Sequence, residues 1–115
     1  MNCSGTARAI LGIQGREVAL RRDGAEPQAL TAIVSDYGFG PAPSNWPEGF
    51  GSTQARHAAF RLHPQDADPR YGDTVTWDGL DYEIRSVRPE PSCSGPNGPM
   101  WRVALGVADP RGGAA

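Results

Sequence analysis

The chain has 115 residues, a formal net charge of −2, 13 acidic and 11 basic residues, and no lysine. This length predicts one domain with a single modest core. Without a basic excess, nucleic-acid binding by counterion release is disfavoured as the main function, and without lysine neither Schiff-base chemistry nor a P-loop phosphate site is available.

The first predicted element is a short helix over residues 6–11. Thr6 is a suitable N-cap, and Gly12 is expected to end the helix. About one and a half turns are too short to be stable alone, so this helix should pack on the rest of the domain.

Two strands are predicted next. Residues 17–21 alternate in polarity and lead into the Asp23-Gly24 turn signal, which indicates the first strand. Residues 30–34 form an apolar run that also fits a buried helix fragment, although their length favours a second strand.

A long loop is predicted over residues 36–53. Three prolines and four glycines between positions 37 and 53 oppose a regular helix or a central strand. A loop of this length usually has a function, and aromatic side chains commonly anchor interfaces. We therefore expect an interface formed by the four aromatic residues of the loop, Tyr37, Phe39, Trp46 and Phe50. For Trp46, packing back onto its own domain is an equally good interpretation.

The third predicted strand covers residues 54–63. One face would present Ala58, Phe60 and Leu62, and the other Ala59, Arg61 and His63. A polar connector over residues 64–71 follows.

Two consecutive hairpins are predicted over residues 72–107. Asp78-Gly79 between two β-prone runs is typical of a type I′ turn. Beyond the turn, an apolar row alternates with a charged row: Leu80, Tyr82 and Ile84 against Asp81, Glu83 and Arg85. The last strand places Trp101, Val103, Leu105 and Val107 on one face, opposite Arg102, Ala104 and Gly106. Both strands are expected to be half-buried, with Trp77 and Trp101 in the core.

These elements predict an all-β fold: a small antiparallel β-barrel or sandwich of about six strands with a short N-terminal helix and one long loop. Residues 1–110 would form the single domain, and residues 111–115 a frayed tail.

Metal binding is disfavoured. His57 and His63 lie near Asp66 and Asp68 in sequence, but residues six apart on a strand are separated by about 20 Å. The pair Asp66 and Asp68 also lacks the Asp/Asn-Gly and the distal Glu of a calcium loop.

Phosphate binding and catalysis are disfavoured as well. Gly38-Phe39-Gly40 is followed by Pro43 where a phosphate loop needs glycine, and Ser92, Cys93 and Ser94 have no histidine nearby in sequence. The sequence predicts no catalytic residue, no metal site and no cofactor.

The cysteines and the N-terminus suggest an intracellular setting. Cys3 and Cys93 are expected to be unpaired thiols, with a disulfide between them as the alternative. Neither a signal peptide nor a membrane-spanning segment is predicted.

The residues from Arg70 to Leu105 resemble a known family. The Gly72-Asp73-Thr strand start, Tyr82 and Ile84 two apart, the Val87-Arg-Pro89 exit and the closing strand with Trp101 and Leu105 are similar to the C-terminal half of bacteriophage tail attachment (head-tail joining) proteins of the lambda-like type. Other phage neck and tail subunits share parts of this pattern. The short helix before the first strand also matches in layout.

The resemblance implies a structural virion protein located at the head-tail junction and assembled in the host cytoplasm. Six or twelve copies would form a ring between a portal or portal-adaptor protein and a tail terminator or tail tube protein. DNA would pass through the lumen without specific binding, and no membrane would be involved. The alternative is a small β-barrel that binds single-stranded nucleic acid through exposed Trp and Arg.

Overall fold

A computed structural model describes residues 3–40, 43, 46, 55–64, 66–90 and 101–108. The elements in this part of the chain are α1 (Cys3–Gln14), β1 (Arg16–Arg21), β2 (Gln28–Gly40), β3 (Ala55–Leu62), β4 (Thr74–Trp77), β5 (Leu80–Glu90) and β6 (Trp101–Ala108). The predicted tail at residues 111–115 lies outside the described residues.

The six described strands form a closed antiparallel barrel in the order β1-β2-β3-β6-β5-β4. Pairing of β1 with β4, from Ala19 opposite Thr76 to Arg21 opposite Thr74, closes the barrel. The predicted all-β fold is confirmed, and the barrel rather than the sandwich is the form adopted.

The helix is longer than predicted. Gly12 does not end α1, which continues to Gln14, and the first residue beyond the helix is Gly15. The Gly15 amide donates to the Leu11 carbonyl at 2.9 Å. Leu11 is buried against the barrel, so tertiary packing stabilises a turn that local propensity alone would leave frayed. A Cβ atom at Gly15 would collide with the Thr31 side chain and the Leu11 carbonyl, so glycine is needed at this crossing.

Strand β2 extends into the predicted loop. Residues 36–40 were expected to be irregular, but they pair with β3 as far as Gly40 opposite Ala55. A bulge between Asp36 and Gly38 accommodates the first glycine, whose φ of 72° suits a bulge position. The pairing supplies the backbone hydrogen bonds that a loop would have lacked.

The predicted hairpin turn is confirmed. Asp78 and Gly79 have φ angles of 54° and 78°, as a type I′ turn requires at its two central residues. Strand β5 is longer than expected and reaches Glu90 after a bulge between Ile84 and Ser86.

The barrel interior holds the first of two apolar clusters. Its large side chains come from Phe60, Leu62, Tyr82 and Ile84, and the cluster as a whole draws on all six described strands. Strand β6 contributes only small residues to it, Ala104 and Ala108. Between them, Gly106 leaves room for neighbouring rings, since a Cβ there would lie 3.0 Å from Tyr82 Cβ and 3.4 Å from Phe60 Cε2.

A second apolar cluster lies on the outside of the barrel. Its β6 members are Trp101, Val103, Leu105 and Val107, and Leu11 of α1 and Trp46 pack with them. The expectation that β6 is half-buried is therefore wrong, because this strand is buried on both faces. Trp101 is buried in the outer cluster, whereas Trp77 is only partly buried, against the barrel interior.

Candidate functional site

The four aromatic residues predicted to form an interface have different environments. Tyr37 and Phe39 lie on the last part of β2 and are 50% and 58% exposed. Trp46 is 8% exposed and belongs to the outer cluster, so it packs back onto its own domain. Phe50 lies outside the described residues. The two exposed rings are thus the part of the predicted interface that the structure makes accessible.

Trp46 links an exposed ring to a buried one. Its ring lies 5.4 Å from that of Tyr37 and 5.4 Å from that of His57, centroid to centroid, and both contacts are edge-on. Such T-shaped pairs are favourable beyond the area they bury. The column Tyr37-Trp46-His57 therefore fixes the position of the exposed Tyr37 ring against β3.

His57 is the buried end of this column. It lies on β3, one residue from Arg56, and is 1% exposed. Burial lowers the pKa of His57 because it disfavours the imidazolium form, and the positive charge of Arg85 acts in the same direction. The imidazole is accordingly neutral at pH 7 and acts as a packing surface for Trp46.

Charged residues lie next to the exposed aromatics. Arg56 is the cross-strand partner of Phe39 and forms an ion pair with Asp36 at 3.6 Å. The Asp36 carboxylate also accepts a hydrogen bond of 2.8 Å from the Gly38 amide, which holds the β2 bulge in place. Burial raises the pKa of Tyr82, the negative charge of Asp36 adds to this effect, and Arg56 opposes it.

Two ion pairs fasten other parts of the chain to the barrel. The Arg8 guanidinium of α1 forms a bidentate salt bridge with the Asp66 carboxylate in the connector after β3. Asp73, which is 3% exposed, accepts from Arg22 Nη2 at 3.1 Å and from the Arg70 amide at 2.9 Å. The Arg8 contact holds the pKa of Asp66 below its usual value. These ion pairs stabilise the structure and do not involve Tyr37 or Phe39.

The residues weighed for metal binding do not come together as a ligand set. His57 packs on Trp46 while Asp66 is bound to Arg8. Among the described residues, no group of three or more His, Cys, Asp and Glu side chains could hold a metal ion. Ser92, Cys93 and Ser94 lie outside the described residues, and pairing of Cys93 with Cys3 stays a prediction.

Comparison with known proteins gives no identification. No protein-family model matches this chain, and no curated protein matches it. The resemblance over residues 72–107 thus stays a prediction from the sequence. In the part of the chain that the structure describes, no helix is long and apolar enough to cross a bilayer.

Two of the contacts described above were not predicted from the sequence. The Trp46–His57 contact joins residues 11 positions apart, and the Arg8–Asp66 pair joins residues 58 positions apart. Neither contact has a local sequence signal. The bulge at Asp36 and Gly38 does have a local sequence signal, because an Asp two residues before a glycine can accept a hydrogen bond from the glycine amide.

Proposed function

We propose that this protein is a non-enzymatic structural subunit of a bacteriophage neck, a head-tail joining protein that assembles into a ring between portal and tail. The observation behind the proposal is the residue pattern from Gly72 to Val107, which resembles the tail attachment family. Consistent with that resemblance, the pattern folds as β4, β5 and β6 of a small closed barrel, preceded by a short helix.

Ring assembly suits a subunit of this size. The described strands of this 12.2 kDa subunit enclose an interior filled by side chains, which leaves no channel through that part of the barrel. Copies joined by one repeated head-to-tail contact, each rotated relative to the last, close into a ring with a lumen. A subunit with a net charge of −2 would let DNA pass without holding it, because phosphates gain nothing from such a surface.

The exposed rings of Tyr37 and Phe39 support a contact with another protein. Large aromatic side chains are enriched at the centres of protein interfaces, where burial of their area stabilises binding. Tyr37 is also held in place by Trp46, so little side-chain freedom would be lost on binding. In the proposed ring this surface meets a neighbouring copy, the portal side or the tail side.

Negative-stain microscopy tests the proposal. The purified protein is mixed with the portal complex of the same phage, and we expect ring density at the portal exit. The double variant Tyr37→Ser/Phe39→Ser should lose this density, whereas Tyr71→Ser, which removes a ring that is 76% exposed on the connector, should keep it. Absence of neck density with the unmodified protein would count decisively against the proposal.

Binding of single-stranded nucleic acid is the second candidate. Phe39 and Arg56 lie opposite each other on β2 and β3, and an aromatic ring beside a guanidinium can stack a base and contact its phosphate. Asp36 beside Arg56 opposes this function. Titration of a labelled oligonucleotide at low salt distinguishes the two candidates, since only this one predicts binding that weakens as salt rises and on Phe39→Ser substitution.

A further inference from the structure

One edge of β2 is open over half its length. Strand β1 pairs with β2 only between Gln28 and Ala32. Residues 33–40, here called the β2 edge, have β3 on one side, and within the described residues no strand pairs with them on the other. Backbone N–H and C=O groups on an unpaired side of a strand can hydrogen-bond to another strand, and of the amides here Gly38 is already bonded to the Asp36 carboxylate.

Strand β5 has a second open edge. Its pairing with β4 ends at Glu83 opposite Thr74, and the Ile84 amide donates to the Asp73 carbonyl just beyond. Residues 85–90, here called the β5 edge, pair with β6 on one side, and the described part of the chain places no strand on the other.

The β2 edge and the β5 edge are the two opposite edges of one four-stranded sheet, β2-β3-β6-β5. In the order β2-β3-β6-β5 every neighbour is antiparallel, so β2 and β5 run in opposite directions. If a second copy continues the sheet, its β5 edge meets the first copy's β2 edge as an antiparallel pair. The contact joins two different surfaces and is therefore repeatable from copy to copy, unlike the pairing of two identical edges.

The side chains of the two edges would not repel each other. Most of their charges are paired within the subunit: Asp36 with Arg56, Arg85 with Glu83 and Glu90 with Arg61. A second copy would therefore meet little unbalanced charge, and the exposed rings of Tyr37 and Phe39 would supply apolar area to bury.

Features that limit indiscriminate pairing are also present. Each edge contains or adjoins a bulge, at Asp36/Gly38 and at Ile84/Ser86, and Pro89 lacks an amide donor. Bulges and prolines keep an edge from acting as a flat template for any strand. What they leave for pairing is a short stretch of each edge.

We propose that copies of this chain join edge to edge, with the β2 edge of one copy pairing antiparallel with the β5 edge of the next. This deepens the proposed function by naming the contact that would build the ring. It concerns self-association alone, so it can stand or fall separately from the role at the portal.

Cysteine crosslinking tests the pairing directly. In a Cys3→Ser/Cys93→Ser background, one preparation has Phe39→Cys and a second, of different tagged mass, has Arg88→Cys. Because the two strands can be staggered, a short bifunctional maleimide is used together with oxidation. We expect crosslinks between the two preparations to exceed those within either one. The control mixes Tyr71→Cys with Arg88→Cys and should give only background.

Analytical ultracentrifugation gives an independent measurement. Lysine at an edge opposes strand addition, so Phe39→Lys and Pro89→Lys should each shift the protein from oligomer to the 12.2 kDa monomer, while Tyr71→Lys should not. Circular dichroism identifies any variant that fails to fold, and the crosslinking result then decides.

Three outcomes overturn the edge pairing. The first is crosslinking mainly within the Phe39→Cys preparation, and the second is crosslinking between the two preparations (mixed crosslinks) no stronger than the control. The third is a protein that is monomeric at every concentration and also fails to crosslink when it is bound to the portal. Mixed crosslinks without neck density would instead overturn the proposed function and leave the edge pairing intact. Neck density without mixed crosslinks would overturn the edge pairing and leave the proposed function intact.

Discussion

Trp46 packs edge-on against His57, with the two ring centroids 5.4 Å apart, and so joins a residue between β2 and β3 to the outer face of β3. The contact lies over the outer apolar cluster, which also contains Leu105 and Val107. A segment whose composition predicts an irregular loop is therefore attached to the barrel at a defined point.

Trp46→Ala should destabilise the fold. Removing a large, nearly fully buried side chain leaves a cavity over the outer cluster, and the expected loss is about 3–5 kcal/mol in the free energy of unfolding. Urea denaturation followed by far-UV circular dichroism measures it. Trp46→Phe keeps an aromatic ring against His57 and should lose clearly less; equal losses in the two variants would contradict the ring-packing explanation.

Stability should fall as pH decreases below about 6.5, the ordinary pKa of histidine. The folded-state pKa of His57 is lowered by burial, so the unfolded chain binds a proton that the folded chain excludes. This contribution is fully present above the unfolded pKa and is lost progressively toward the lower folded pKa. Thermal denaturation between pH 5 and 8 measures the slope, which His57→Gln should reduce. If His57→Gln leaves this slope unchanged, the pH dependence of stability comes from other titratable groups.

Two glycine substitutions should have opposite effects. Gly106→Ala places a methyl group 3.0 Å from Tyr82 Cβ and 3.3 Å from Ile84 Cδ1 inside the barrel, and overpacking of this kind costs about 1–3 kcal/mol. Gly12→Ala lies within α1 with nothing inside 4 Å of the new methyl, and should stabilise the helix by about 0.5–1 kcal/mol. Midpoints of chemical denaturation measure both. An unchanged denaturation midpoint for Gly106→Ala would mean that the barrel interior can accommodate an added methyl group without overpacking.

Asp73→Ala should destabilise more than Asp68→Ala. Asp73 is buried and accepts from both Arg22 and the part-buried Arg70 amide. The half-exposed Arg22 can turn to water, so the expected cost of about 1–3 kcal/mol comes from the amide that loses its acceptor. The Asp68 carboxylate forms an exposed ion pair with Arg70, and such pairs contribute about 0–1 kcal/mol. The two free energies of unfolding, measured side by side in urea, should differ in this order. Equal values would contradict the anchoring role of Asp73.

Local patterns sufficed for much of the barrel. The Asp78-Gly79 turn and the alternation of Tyr82 and Ile84 with charged neighbours are short-range features, and they predicted both the hairpin and the buried face of β5. The end of β2 was missed because its glycines lower strand propensity, whereas pairing with β3 and a bulge overcome that cost. Tertiary contacts of this kind leave no periodic trace in the sequence.

The candidate site was predicted only in part. Composition singled out Tyr37, Phe39 and Trp46, but not that the first two would be exposed while the third is buried. That division depends on His57 and the outer face of β6, which lie far away in sequence. The open edges of β2 and β5 likewise follow from strand lengths in the assembled barrel, which residue patterns predicted too short.

Strand β6 has a small-residue row inside the barrel, Ala104, Gly106 and Ala108, and a large-residue row outside it. Apart from Arg102 at the start of the small-residue row, neither row is polar, so a contrast between a polar and an apolar face contributes little to holding this strand in register. Side-chain volume does so instead: a slip by one residue would drive Trp101, Val103 and Leu105 into an interior already filled by Phe60 and Tyr82. A mutational scan of β6 should therefore reveal alternating limits on size rather than on polarity.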